Sequence, residues 1–329
     1  MKLTASPRIA VLGGGTGLST MLHGLKAHSS SITAIVTVTD DGGGSGVLRR
    51  ELGMPPPGDI RNCIQALANA EPAMEALLAY RFHEGSLSGQ SLGNLLLAAL
   101  NDMFPTFDQA VAALSSVLAI TGRVLPVTNE NIVLQARFSD GAVVRGETTI
   151  TDYKKKSDAV ITRVSLDPPS PPALDAALDA IREAELIVLG PGSLYTSVIP
   201  NLLIRGVAEA VCASKAVKVY VMNVMTQDGE TEGYTASDHV KALLDHGGPG
   251  LFQHILINDR PIPDGLLAAY RAENAVPVAV SRAELRAMKL KPSFAPIAAW
   301  DDGLIRHDPA ALARALMGIY HFYAATRIV

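Results

Sequence analysis

Two adjacent carboxylates, Asp40 and Asp41, close an apolar run and are followed by Gly42-Gly43-Gly44-Ser45-Gly46. Ile32 to Val38 reads as a buried strand, so the acids fall at a strand's carboxyl end. Carboxylates placed there can hold a metal ion, a ribose hydroxyl or a proton in transit. Glycines let backbone N–H groups turn toward a ligand and approach it closely. A lone Asp-Gly pair would read as a turn. A longer run, in a chain with other glycine loops, reads as a site.

The first of those loops is Gly13-Gly14-Gly15-Thr16-Gly17, between a short strand, Arg8 to Leu12, and Leu18 to Leu25 at helical spacing. Strand, glycine turn and helix make a phosphate-binding opening, with the helix N-terminus facing the anion. Counted as G-x-G-x-x-G from Gly13, the pattern puts Leu18 where the third glycine belongs, so the dinucleotide fingerprint is broken. Asp40 still lies about twenty residues further on, where a ribose-binding acid sits in dinucleotide folds.

The elements between these loops must position their groups. Pro55-Pro56-Pro57-Gly58-Asp59-Ile60-Arg61-Asn62 stiffens the approach to a helix that Asp59 is expected to cap. Arg61 in the first turn opposes the helix dipole. Either an anionic partner or an ion pair with Asp41 or Glu51 would explain it. Helices are expected over Pro72 to Tyr80, Ser91 to Met103 and Phe107 to Leu118. Gly93 and Asn94 mark either close backbone approach or packing. Arg123 to Thr128, Ile132 to Phe138, Ala142 to Thr149 and Val160 to Leu166 read as short strands. Ser139-Asp140-Gly141 reads as a hairpin turn. Lys154-Lys155-Lys156 reads as a solvated loop. Pro168 to Pro172 is a rigid connector.

A second run of α/β follows. Gly190-Pro191-Gly192-Ser193-Leu194-Tyr195-Thr196-Ser197 succeeds a buried strand, Leu186 to Leu189, and repeats the anion-binding arrangement. Asn223-Val224-Met225-Thr226-Gln227 succeeds another, Val217 to Val221. Loops after parallel strands converge on the carboxyl edge of the sheet, where α/β proteins bind ligands. His239, near a helix start, reads as a surface or capping residue. Pro277 to Val280 reads as a late strand, and Ala310 to Tyr323 as a C-terminal helix.

The 329 residues form one large α/β domain or two ordinary ones. Lys plus Arg is 28 against 32 Asp plus Glu, a net charge of −4, and aromatics are 5%. Neither a basic surface nor stacking platforms advertise nucleic acid. Cys63 and Cys212 suggest no disulfide framework, which points to a reducing compartment. Met1 to Arg8 lacks a signal-peptide apolar core, and the run Leu95 to Leu100 is too short for a span. A cytoplasmic protein without membrane insertion is expected.

Together the loops resemble the YvcK group of the CofD-like family, the gluconeogenesis factors. The matching stretches are Gly13 to Gly17, Asp40 to Gly43, Pro57 to Asn62, Ser91 to Asn94, Gly190 to Ser197 and Asn223 to Gln227. The likeness spans nearly the whole chain, to Arg306-His307-Asp308. It implies a Rossmann-like three-layer α/β/α fold with a mainly parallel sheet. The chain then reads as one domain, 1–329, with a helical and antiparallel-strand insertion over about 59–170. The resemblance implies binding of UDP-N-acetylglucosamine, affinity for NAD(P), and a regulatory role linking gluconeogenic growth to envelope precursor supply and cell shape. A protein partner in envelope precursor synthesis follows, and a homo-oligomer stays open. The relatives include 2-phospho-L-lactate transferases, which use Mg²⁺. A Mg-dependent transferase is therefore the rival reading, and an NAD(P)-dependent oxidoreductase the third.

The ligand set implied is Gly13, Gly14, Gly15, Thr16, Gly17, Asp40, Asp41, Gly42, Gly43, Arg61, Asn62, Asn94, Gly190, Pro191, Gly192, Ser193, Tyr195, Thr196, Asn223, Thr226 and Gln227. The likeness extends it to Tyr270 and Arg306. Asp40, Asp41 and Asp59 are the acid–base candidates, and Asp40 with Asp41 the Mg²⁺ candidates. Two positions depart from the family pattern. Gly44 stands where a serine is usual, and Gln90 where a histidine precedes Ser-Leu-Gly-Asn.

Overall fold

The computed structural model describes residues 6–301 and 303–326. The stretch read for a signal peptide lies largely outside them. The strands are β1 (Ile9–Gly13), β2 (Ile32–Val36), β3 (Arg123–Pro126), β4 (Val133–Phe138), β5 (Val143–Arg145), β6 (Ile161–Asp167), β7 (Leu186–Leu189), β8 (Val217–Val221), β9 (His254–Asn258), β10 (Lys291–Ala295), β11 (Ala298–Asp301) and β12 (Leu304–His307). Seven of them form one parallel sheet in the order β10-β9-β8-β7-β1-β2-β3. The chain starts in the middle, steps out through β2 to β3, then returns to β7 beside β1 and steps the other way. Strand order therefore reverses between β1 and β7, the switch point where a Rossmann-like sheet binds its ligand.

Every residue of β1, β2, β7 and β8 is buried. Successive side chains point to opposite faces, so both faces of the sheet are covered. That is why these strands read as continuous apolar runs. The helices are α1 (Gly15–Leu25), α2 (Gly43–Leu52), α3 (Gly58–Leu67), α4 (Pro72–Ala79), α5 (Leu92–Met103), α6 (Phe107–Val117), α7 (Glu147–Lys155), α8 (Asp175–Glu183), α9 (Ile199–Leu202), α10 (Val207–Ala213), α11 (Ala236–Gly247), α12 (Asp264–Ala272), α13 (Arg282–Ala287) and α14 (Pro309–Thr326), and α1, α3 and α14 are among those that cover the central strands. The expected three-layer Rossmann-like α/β arrangement is the one the chain adopts.

Several local expectations are corrected. The glycine run after the two acids is not a loop throughout: Gly43 opens α2, which continues to Leu52. Arg123–Pro126 pairs in parallel with β2, so it is the edge of the main sheet and not part of the antiparallel unit. That unit is β5-β4-β6. The strand expected over Ala142 to Thr149 stops at Arg145, and Gly146 at φ +89° turns the chain into α7. The three lysines are not a solvated loop. Lys154 and Lys155 end α7 and pair with Glu232 at 3.1 Å and Asp228 at 3.3 Å. His239 is fully buried, its Nδ1 2.9 Å from the Thr235 carbonyl. Pro277 to Val280 forms only single bridges, Met225 with Pro277 and Thr235 with Ala279.

Candidate functional site

The loop after β1 and the loop after β7 meet at the switch point. A Cβ on Gly17 would lie 2.9 Å from the Pro191 carbonyl oxygen, and one on Gly192 3.0 Å from that of Gly14. Only glycine permits this approach. Over the contact opens a cleft of about 340 Å³. Gly15, Thr16 and Gly17 line it from the N-terminus of α1, and Pro191, Gly192 and Ser193 from the second loop. Asn223, Thr226 and Gln227 line it from the loop after β8, and Arg306 from β12. The first-turn amides of a helix have no intrahelical partner, so α1 offers N–H donors there. Asp59 accepts one of them, from Gly15.

The β8 loop braces the second glycine loop. Asn223 donates from Nδ2 to the Gly192 carbonyl at 2.9 Å, and Ser193 donates to Gln227 Oε1 at 2.8 Å. Glu230, only 2% exposed, accepts from the backbone N–H groups of Leu194, Tyr195 and Thr196, each at 3.0 Å. These donors belong to a single π-type turn, Leu194–Val198. Its anion hole is thus already filled by a protein carboxylate, which burial pushes up to about 7. The expected ligand residues Tyr195 and Thr196 are accordingly held inside: the Tyr195 hydroxyl meets Tyr234 at 2.9 Å, and the Thr196 carbonyl accepts from Thr39 at 3.1 Å. Asn201 ties the same turn to β1, donating to the Ser197 and Gly13 carbonyls at 2.8 and 3.1 Å. Gly13, Gly14 and Gly190 lie behind the lining.

The acids after β2 flank the cleft without lining it. A Cβ on Gly14 would lie 2.6 Å from Asp59 Oδ2, and one on Gly58 3.1 Å from Asp40 Oδ2. Asp59 does not cap its own helix; it sits within the first turn of α3 and faces the β1 loop. Burial raises it to about 6, the charge of Asp40 adding and the Gly15 amide opposing. Burial raises Asp40 too, against hydrogen bonds from Gly42 and Ser45. Arg49, 7% exposed, holds this turn by donating to the Thr39 carbonyl at 3.2 Å and to the Ile132 carbonyl.

Asp41 turns the other way. Its Oδ1 accepts from the Thr148 amide at 2.9 Å and hydroxyl at 2.8 Å, capping α7 from outside. Gly42 donates its amide to Asp40, and Gly43, at φ +45°, opens α2. The adjacent carboxylates therefore have different partners, Asp40 the Gly42 amide and Asp41 Thr148. Among the described residues no group of three His, Cys, Asp or Glu side chains is arranged to hold a metal ion. Asp40 and Asp59 are the acids that face each other's surroundings. Asp41→Asn keeps the acceptor and should unfold within about 0.5 kcal/mol of wild type, whereas Asp41→Ala should lose roughly 1–2 kcal/mol, the usual worth of a helix-capping acceptor. Equal losses in thermal unfolding would show that the charge matters and the cap does not.

Arg61 and Asn62 lie further along the same flank. Arg61 donates to Asn62 Oδ1 at 2.8 Å and Gln65 Oε1 at 3.3 Å and makes neither ion pair considered for it. Burial draws its guanidinium pKa down, Arg81 adding and Asp59 opposing. Asn94 is 3% exposed, with its Nδ2 3.5 Å from Ser45 Oγ. Gln90, 6% exposed, faces Gly44. Tyr270 stands behind the cleft, its hydroxyl accepting from the Ile305 amide at 2.7 Å. It thereby fixes the strand that presents Arg306. Thr20, Val224, Met225, Ile305 and His307 also line the cleft and stand outside the expected ligand set.

Sheet order and covering helices define a Rossmann-like α/β protein with a cleft at its switch point, and the sequence gives it a family. The family model described as 2-phospho-L-lactate transferase CofD matches residues 9–298, and the chain belongs to that family. It is 49% identical over 314 residues to the gluconeogenesis factor of Bacillus subtilis, covering 95% of this chain and 98% of that protein. With the gluconeogenesis factor of Halalkalibacterium halodurans it shares 48% over 310 residues, 94% of this chain and 95% of the other. A crystal structure of a Bacillus halodurans protein superposes with a TM-score of 0.92 at 46% identity, covering 95% of this chain and all of that one.

Proposed function

We infer that this protein is a nucleotide-sugar-binding regulator of the gluconeogenesis-factor kind, with UDP-N-acetylglucosamine as its ligand. The observation that carries the reading is the cleft itself. Helix-start amides and closely apposed glycines suit a diphosphate, and the exposed Arg306 on the opposite wall suits its charge. The β8 loop supplies neutral hydrogen-bonding side chains for the remainder. In this reading the bound state is passed to a protein partner in envelope precursor synthesis in the cytoplasm. No helix among the described residues is long and apolar enough to cross a membrane.

A transferase remains the second reading because Asp59, raised to about 6, lies against the phosphate loop. A carboxyl that titrates near neutrality can carry a proton in group transfer. Hydride chemistry has less support, since Leu18 breaks the dinucleotide pattern.

Incubating the protein with UDP-N-acetylglucosamine and Mg²⁺ for hours separates the readings. The expected result is a raised melting temperature, because a ligand selective for the folded state stabilises it by mass action, with the ligand recovered intact by chromatography. Steady conversion that disappears in Asp59→Asn would favour the transferase. No shift and no conversion would remove this ligand from both.

A further inference from the structure

Helix α4 is apolar on nearly every side and still lies at the surface. All of its eight residues except Glu75 are apolar, and only Leu78 is buried. A helix of this composition normally sits inside a fold. It packs on α5. The chain between the two doubles back, Leu92 donating its amide to the Tyr80 carbonyl and Phe82 to that of Gln90, both at 2.9 Å. Tyr80 and Leu87 stand exposed in this connection. On α5, Leu96 and Met103 are seven residues apart, so they share one stripe, and both are exposed. Apolar residues scattered singly over a surface need no explanation, but a cluster does.

Size and composition fit a protein contact. The exposed surface of Met74, Leu77, Tyr80, Leu87, Leu96 and Met103 comes to roughly 550 Å², against about 800 Å² that each partner buries in a standard interface. Ala73, Ala76 and Phe104, also exposed, add to it. No lysine occurs from Pro72 to Phe104. Interface cores are rich in Met and aromatic residues and poor in Lys.

The charges on α4 suit pairing with itself. Glu71 and Glu75 lie at its start, and Arg81 lies two residues beyond its end. Among the described residues none of the three is in an ion pair. Two copies of α4 laid antiparallel across a two-fold axis bring the acids of each beside the arginine of the other. The two helix dipoles then oppose each other as well. One patch meets itself, as an isologous contact requires.

We propose that α4 and α5 form the contact of a symmetric homodimer, with α4 packed antiparallel on α4 of a second copy. The contact lies one side chain from the flank of the cleft. A Cβ on Gly93 of α5 would meet the Leu78 carbonyl at 2.9 Å and Arg61 Cδ at 2.5 Å. The dimer is independent of what the cleft binds.

Sedimentation velocity and light scattering on the whole chain, from micromolar to hundreds of micromolar, test this. Wild type should be a dimer. Leu77→Glu and Met103→Lys change exposed side chains, so both should keep the wild-type circular dichroism. Each should weaken the dimer about a hundredfold or more, because the two-fold axis applies every change twice. Glu75→Arg and Arg81→Glu should each weaken it about threefold or more, and combining them should recover it. A wild type that stays monomeric across this range would overturn the proposal and leave the face to a different protein or a lipid surface. A dimer undiminished in a folded Leu77→Glu or Met103→Lys variant would overturn it too. Failure of the combined variant to recover the dimer would overturn the antiparallel arrangement.

Discussion

Glu230→Ala is expected to destabilise the protein by on the order of 3–5 kcal/mol, because it strands three buried amide donors at roughly 1–3 kcal/mol each and lets water soften the loss. The donors are those of Leu194, Tyr195 and Thr196, so the damage falls on the turn that carries Ser193 into the cleft. Ligand affinity should fall with it, and thermal unfolding and calorimetry read the two effects. Glu230→Gln gives a finer test. Burial raises this carboxyl from 4.5 to about 7. A group held protonated more tightly in the folded than in the unfolded chain stabilises the fold fully below the unfolded value. That stabilisation is lost as pH climbs through the window from 4.5 to about 7. Glutamine has no proton to lose. The variant's melting temperature should therefore decline less than that of wild type across this window. Parallel pH profiles would mean that Glu230 is not the group titrating there.

Gly15→Val is expected to weaken nucleotide-sugar binding by about a hundredfold or more while leaving a folded protein. Gly15 sits at φ +69° and an added Cβ would lie 3.7 Å from Ser197 Oγ. The left-handed backbone costs a β-branched residue roughly 1–3 kcal/mol. The chain would relieve it by turning the peptide whose amide meets Asp59, at the start of α1. Circular dichroism checks the fold and calorimetry the affinity. Near-wild-type affinity in a folded variant would place the phosphates elsewhere.

The sheet and its loops were legible because their signals are local. Buried parallel strands are apolar throughout, and glycine clusters mark the turns that follow them. What holds the site together was not legible. Glu230 lies 34 residues from Thr196, and Arg49 reaches 83 residues to Ile132. Nothing in the neighbourhood of either residue announces a distant partner. Asp40 and Asp41 looked like a pair because they are adjacent in sequence, yet side chains of consecutive residues diverge, and Thr148 claims one of them. Asp59, read as a helix cap, serves instead as the neighbour of Asp40. Helix α7 was hidden behind a strand-like pattern, since the switch from strand to helix depends on one glycine turn at Gly146.

The two departures from the family pattern touch. A Cβ on Gly44 would lie 2.8 Å from Gln90 Oε1 and 3.0 Å from the Gly89 carbonyl. The buried glutamine amide and the Gly89 carbonyl together occupy the space a serine at 44 would need. The residue at 90 therefore constrains what position 44 can carry. A lineage regaining the serine must first vacate position 90, whereas the opposite order passes through a crowded intermediate that selection would remove. Wherever Gly44 becomes serine among descendants of this chain, position 90 should be found to have changed before it.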